Sequence, residues 1–211
     1  MTIELYHYVH CPYCIRVRMA LGYLKRPWSS RVLPYNDEET PLRLSGKKML
    51  PILVMDGKAH NESLDIIALL DTDEKLKLNS WGDTDLILGE LGQHVHNLGM
   101  PYWVWSPEFD QTSRDYFIAK KSIKRGPFKE LAQRRKEFEA PLHALLNQIE
   151  PQFAPYWNSK HLTVKDIALA SHVWGLFAVP EFYFSQPWYD YLMKIKLECE
   201  FEFHRDFWVQ E

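Results

Sequence analysis

Apolar and polar positions alternate at the start of the chain, Ile3 and Leu5 against Glu4 and Tyr6, which predicts a strand from Ile3 to Tyr8. The period then changes. Val17, Ala20, Leu21 and Leu24 recur at the spacing of one helix face, and Lys25-Arg26-Pro27 closes that helix. Trp28 to Leu33 predicts a second strand, so the opening reads as strand, helix, strand, a βαβ unit with a parallel pair and a right-handed crossover. Thr40-Pro41 predicts the N-cap and first position of a short helix that Gly46 ends. Leu50-Pro51-Ile52-Leu53-Val54-Met55, then Asp56-Gly57, then Lys58-Ala59 predict a hairpin with Pro51 at the tolerated first strand position. Asn61 to Asp65 reads as a cap-like start for a helix continuing through Ile66, Ile67, Leu69 and Leu70.

Beyond this point the strand signals stop. Asp71 to Trp81 is polar and reads as a linker. Helices are predicted around Leu86, Leu88, Leu91, Val95 and Leu98, around Tyr116, Phe117 and Ile123, and around Leu142, Leu145, Leu146 and Ile149. Thr163-Val164-Lys165-Asp166 ahead of Ile167-Ala168-Leu169-Ala170 is a capping box with Asp in the reaching-back position. A last helix is expected from Trp188 to Leu197. The tail with Phe201, Phe203, Phe207 and Trp208 is expected to fold back on the bundle, since those rings left exposed would form an adhesive patch. The division that follows is an α/β domain over 1–72, a linker over 73–84 and an all-helical domain over 85–211.

Composition narrows the function. With 46% hydrophobic residues in 211, core material is ample. A formal net charge of -3 offers no basic footprint for nucleic acid or an anionic membrane. No apolar run approaches the roughly 18 to 20 residues of a membrane-spanning helix. Three cysteines make no disulfide framework, and the start has no signal-peptide pattern, so a cytosolic protein is expected. The eight tryptophans and eleven tyrosines are expected mostly in the core.

The chemistry is expected at Cys11-Pro12-Tyr13-Cys14, where the first strand hands over to the first helix. The N–H groups and dipole of a helix start stabilise an anion, so Cys11 should ionise below the ordinary thiol range. Pro12 suits the first helical position. Cys14, one turn further in and more buried, is placed to resolve a mixed disulfide rather than to start one. His7 and His10 nearby allow a zinc site on paper, but metal sites usually bring a second ligand pair, so no metal is expected. His94 and His96 fall on different sides of a helix, and Cys199 reads as a buried structural thiol. The Lys/Arg cluster from Lys120 to Lys136 reads as a solvated face, part of which can border a cleft and attract acidic ligands. At Glu62-Ser63 a hydroxyl and free N–H groups at a helix start make a small carboxylate site, against the plainer reading of a helix cap.

Cys11-Pro12-Tyr13-Cys14, Leu50-Pro51 and Glu62-Ser63-Leu64-Asp65-Ile66 together resemble the three signatures of a glutaredoxin. Thr40-Pro41-Leu42-Arg43-Leu44-Ser45-Gly46-Lys47-Lys48 is similar, more narrowly, to the two-domain bacterial glutaredoxin 2 type. Arg114-Asp115-Tyr116-Phe117 with Lys120-Lys121 is the best match in the second half. The resemblance implies a thioredoxin-like βαβ-ββα domain followed by a glutathione-transferase-like helical bundle, with Thr163-Asp166 as that bundle's folding motif. It implies a glutathione-dependent thiol-disulfide oxidoreductase acting on glutathionylated and disulfide-containing proteins, with glutathione as reducing co-substrate and the chain a monomer. By position, Cys11 is then the nucleophile and Cys14 the resolving thiol. Leu50, before a proline expected to be cis, pairs its backbone with the glutathione cysteine, and Glu62 and Ser63 hold the γ-glutamyl end. Pro12 and Tyr13 complete the substrate site. Two rivals remain: a glutathione transferase, usually built on Ser, Tyr or a single Cys, and a non-catalytic glutathione or iron-sulfur binding module, which a proline inside the motif disfavours.

Overall fold

The computed structural model describes residues 2–202. Four strands form one sheet among these residues: β1 (Ile3–His7), β2 (Ser29–Val32), β3 (Ile52–Met55) and β4 (Lys58–His60), in the order β2-β1-β3-β4. β1 runs parallel to β2 and antiparallel to β3, which pairs antiparallel with β4. The crossover is α1 (Pro12–Tyr23), and α2 (Glu39–Ser45) and α3 (Ser63–Leu70) complete the first half. The alternation read in β1 holds: Ile3, Leu5 and His7 are buried, with Glu4 and Tyr6 half-buried between them.

α1 departs from the single-face reading. Val17 and Leu21 pack on the sheet core with Ile3, Leu5, Leu53, Ile66 and Leu70. Ile15, Met19 and Ala20 lie in a different core, with Leu91, Ile167 and other helical-domain side chains. The helix is buried on opposite sides because it is sandwiched between the sheet and the helical half, a situation in which no polar stripe survives. Thr40 is likewise corrected: α2 begins two residues before the expected Pro41, at Glu39 with Glu38 as its N-cap, and Asp37 Oδ1 accepts from the Thr40 N–H at 2.9 Å. Gly46 ends the helix as expected, with φ of +73°.

The second half comprises α4 (Thr84–Trp103), α5 (Gln111–Arg125), α6 (Phe128–Gln133), α7 (Arg135–Ile149), α8 (Val164–Val173) and α9 (Gln186–Glu198). α8 is its axis, every residue except Lys165 being buried. The capping box is present, Asp166 Oδ2 accepting from the Thr163 N–H at 2.8 Å. Asp166 Oδ1 also accepts from the Trp157 N–H at 2.7 Å and the Tyr191 hydroxyl at 2.9 Å, so one carboxylate ties α8 to a loop and to α9. Two apolar positions expected inside are outside: Leu86 and Ile123 are 75% and 88% exposed. Periodicity marks a face, but the neighbours decide where that face ends.

The stretch read as a linker is stitched down. Asp71 accepts from the N–H groups of Lys75 and Leu76 at 2.9 and 2.8 Å. Leu76 is fully buried, and its carbonyl accepts from the Val164 N–H at the start of α8 at 2.7 Å. Phe201 packs edge-on against Trp174 and beneath the Arg18 guanidinium. The other tail aromatics, Phe203, Phe207 and Trp208, lie outside the described residues.

Candidate active site

Cys11 is the N-cap of α1, with Pro12 at the first helical position. Its pKa is lowered to about 7. The largest cause is the Cys14 thiol, which donates to the Cys11 sulfur; His10 and the backbone N–H groups of Cys14 and Tyr13 add to it, while burial opposes. The direction matches the sequence expectation, but the helix start is not the leading cause. Cys14 is fully buried, accepts from the Tyr8 N–H at 3.4 Å, and is pushed well up by burial. One thiol is poised to ionise and the other to stay protonated beside it, the asymmetry an exchange reaction needs.

A cavity of about 600 Å³ opens beside the motif. Its walls are Tyr13 and Arg16 from α1, Leu50 and Pro51 ahead of β3, Glu62 and Ser63 at the start of α3, and Asp85 from α4. Each substrate-site residue named from the sequence except Pro12 therefore lines one space, and Pro12 is buried in the turn below. The Leu50-Pro51 bond is cis. Glu62 sits at the N-cap of α3 with φ of +62°, and its side chain makes no cap hydrogen bond among the described residues. Ser63 Oγ accepts from Arg16 Nη1 at 3.0 Å.

Arg16 and Glu108 had no role in the sequence reading. Arg16 is only 3% exposed, its guanidinium lies 5.2 Å from the ring centres of both Tyr13 and Trp81, and its Nε has no hydrogen-bond partner among the described residues. Burial lowers its pKa to about 10. An arginine inside an apolar helix pattern directly behind a C-x-x-C was the available signal. Glu108 had none, because it meets the motif across 98 residues of chain. It lies between α4 and α5 and accepts three hydrogen bonds from the strand–helix turn: Val9 N–H at 2.6 Å, His10 N–H at 3.1 Å and His10 Nδ1 at 2.8 Å. Arg114 fixes the loop that carries it, donating to the carbonyls of Val104 and Phe109 at 2.7 and 3.1 Å.

His7 and His10, the paper zinc ligands, are engaged elsewhere, His7 Nε2 with Ser30 Oγ at 2.8 Å and His10 with Glu108. Cys199 is fully buried at the end of α9, with its thiol pKa pushed up by burial. Tyr116 donates to Glu38, while Lys48 Nζ donates to the Tyr116 hydroxyl at 3.1 Å and pairs with Glu38 at 2.7 Å, joining the two halves.

The model of the family described as "Glutaredoxin 2, C terminal domain" matches residues 83–205, more than half of the chain. The chain belongs to the glutaredoxin 2 family. Residues 5–77 of this glutaredoxin 2 family member match "Glutathione S-transferase, N-terminal domain", so a thioredoxin-like βαβ domain precedes an all-helical transferase-like bundle. Glutaredoxin 2 of Escherichia coli is 34% identical over 137 residues, 61% of this chain. The match spans 63% of the length of that curated relative. Among solved structures, glutaredoxin 2 from Salmonella typhimurium in complex with glutathione superposes with a TM-score of 0.85 at 26% identity, covering 96% of each chain. A glutathione transferase from Phanerochaete chrysosporium, 16% identical with a TM-score of 0.78 over 96% of this chain and 98% of its own, shares the fold. The Arg114-Asp115-Tyr116-Phe117 segment singled out in the second half of this glutaredoxin 2 chain lies at the junction of its two halves. Arg114 holds the Glu108 loop, Tyr116 meets Glu38, and Phe117 packs edge-on to His10 and Tyr35.

Proposed function

We propose that the chain is a glutathione-dependent thiol-disulfide oxidoreductase. The observation that carries the reading is the pairing of an easily ionised Cys11 with a protonated Cys14 at the edge of a cavity lined by Leu50, Pro51, Glu62 and Ser63. The Cys11 thiolate attacks the glutathione sulfur of a mixed disulfide; the new bond is Cys11–S–S–glutathione, and the partner leaves as its thiolate. A second glutathione thiolate then attacks the glutathione sulfur held on Cys11, giving oxidised glutathione and the Cys11 thiolate again. With a protein disulfide, Cys11 forms a mixed disulfide with the protein. Cys14, losing its proton, attacks Cys11, releases the reduced protein and leaves a Cys11–Cys14 bond for two glutathione molecules to reduce.

In this reading the Leu50 backbone pairs with the glutathione cysteine, and Pro12 and Tyr13 shape the wall beside it. Ser63 and the N–H groups at the start of α3 take the γ-glutamyl carboxylate, with the buried Arg16 charge behind them. Glu62 and Asp85 face the γ-glutamyl ammonium. The domain limits 1–72, 73–84 and 85–211 are kept in this reading, with the chain a monomer, and three free cysteines suit a reducing compartment such as the cytosol. The test is glutathione-dependent reduction of a small mixed disulfide by wild type, Cys11→Ser and Cys14→Ser. Cys11→Ser is expected to lose all turnover, and Cys14→Ser to keep deglutathionylation while losing protein-disulfide reduction. Equal loss in both variants would refute this division of roles.

A further inference from the structure

Tyr13 stands between two cavities. On one side is the cavity of Arg16, Leu50 and Ser63; on the other is a space of about 630 Å³ enclosed by α4, α5, α7 and α8. Half-exposed, Tyr13 presents its ring to His172 across 5.6 Å in an edge-on arrangement. The two spaces differ in charge. The first holds Glu62, Asp65 and Asp85 against the single cation Arg16. The second holds Lys124, Arg125 and Arg134, with no carboxylate in its walls.

Arg125 is the telling member. Its guanidinium is half-buried, yet its partners are neutral: Nη1 donates to Asn97 Oδ1 at 2.6 Å, and Nη2 lies 3.5 Å from His96 Nδ1. Burial holds His96 neutral at ordinary pH, its pKa lowered to about 3. Among the described residues neither Arg125 nor Lys124 has a carboxylate within ion-pair distance, whereas Arg134 is paired with Glu137 at 2.8 Å. A desolvated cation facing an open space without a counter-ion gains most from an anion that enters. Lys121, one turn earlier on α5, has its pKa lowered by burial, and it lies near enough to Cys11 for a negative sulfur to oppose that shift. The cationic face thus runs from the reacting thiol to the second cavity.

We propose that this cavity holds the half of the mixed disulfide that is not bound as glutathione, and that it selects small carboxylate-bearing thiols, including the second glutathione that later takes the same place. The inference rests on the oxidoreductase reading and adds substrate class to it. The order of events follows: as Cys11 bonds to the glutathione sulfur, the partner thiolate leaves that sulfur into a cationic space, and the incoming glutathione enters the space just vacated.

The test uses the full chain and three mixed disulfides of glutathione, with 3-mercaptopropionate, 2-mercaptoethanol and cysteamine, which present a negative, a neutral and a positive group. In a two-step displacement, kcat/KM for the disulfide reports only the step in which it reacts. The three thiols differ as leaving groups, so the diagnostic quantity is how each ratio changes between wild type and variant. Arg125→Gln is expected to lower the anionic-to-cationic ratio about five- to tenfold, and exposed Lys124→Gln about two- to threefold, with the wild-type preference shrinking in high salt. If Arg125→Gln fails to fold, the Lys124→Gln ratio and the salt series decide. Ratios that stay within about twofold of wild type in the folded variants, with all three disulfides turned over, would overturn the inference and leave the oxidoreductase reading standing. No turnover of any of the three by wild type would overturn that reading, and the inference with it.

Discussion

Glu108 offers the sharpest perturbation because one buried carboxylate, 3% exposed, holds three donors of the turn that presents Cys11. Val9 and His10 are themselves buried, so removing the carboxylate strands two backbone N–H groups where water does not replace it. Hydrogen bonds to charged groups contribute about 1.5–3 kcal/mol each, and a stranded buried donor costs about 1–3 kcal/mol. The terms overlap, since they describe the same bonds, and a net loss of about 3–5 kcal/mol is expected for Glu108→Ala. Glu108→Gln keeps the shape and one acceptor oxygen but turns an amide donor toward donors, so roughly half that loss is expected. Denaturant unfolding followed by tryptophan fluorescence measures both. The turn also supplies the Tyr13 and Cys14 N–H groups that favour the Cys11 thiolate, so loosening it should raise the pH midpoint of Cys11 alkylation above that of wild type. A Glu108→Ala protein within about 1 kcal/mol of wild type, with an unmoved alkylation midpoint, would refute the argument that this loop holds the thiol's turn.

Two further outcomes follow from buried groups. His96 and His172 are held neutral by burial, with pKa values of about 3 against an ordinary 6.5, so below pH 6.5 the unfolded chain binds protons that the folded chain refuses. Stability should be complete above that pH and fall as pH drops toward 3, by roughly 4 kcal/mol for the pair between pH 7 and 5; unfolding curves at the two pH values measure it, His172→Gln should remove about half the difference, and a flat wild-type profile would refute it. Gly22 on α1 has no room for a side chain, because a Cβ there would lie 1.8 Å from the Cys199 carbonyl oxygen. Gly22→Ala should therefore force α1 and the end of α9 apart at a cost of about 3 kcal/mol, read as a lower denaturation midpoint, and a variant as stable as wild type would show that the two elements separate freely.

What the sequence disclosed and what it hid divide along physical lines. Features set by local chemistry were legible: the alternation of β1, the proline at the first turn of α1, Gly46 in a left-handed cap, and the Thr163–Asp166 box. The three glutaredoxin-like segments were visible for the same reason, each being a short run of residues, and Tyr13, Leu50-Pro51 and Glu62-Ser63 meet at one cavity. The second side of α1 was not, because a helix between two layers is apolar wherever either layer touches it, and the pattern then carries no record of which residue faces which layer. Leu86 and Ile123 erred in the opposite direction, apolar positions with correct spacing that no neighbouring element covers.

The two site residues without an assigned role show where this division falls in function. Arg16 stands two residues after the motif, yet its position against Ser63 depends on α3 arriving from 47 residues away. Glu108 depends on the helical half docking on the first, and Arg114, Tyr116 and Phe117 hold that docking. The thiol chemistry is written in four consecutive residues, whereas the environment that sets its ionisation and its choice of partner comes from both halves. The helical half therefore takes part on both sides of the thiol: through Glu108 it braces the turn that carries Cys11, and through Lys124 and Arg125 it sets the charge of the space proposed for the partner thiol. A first domain separated from the second would keep its two cysteines in sequence, but Val9 and His10 would lose the carboxylate that accepts their N–H groups.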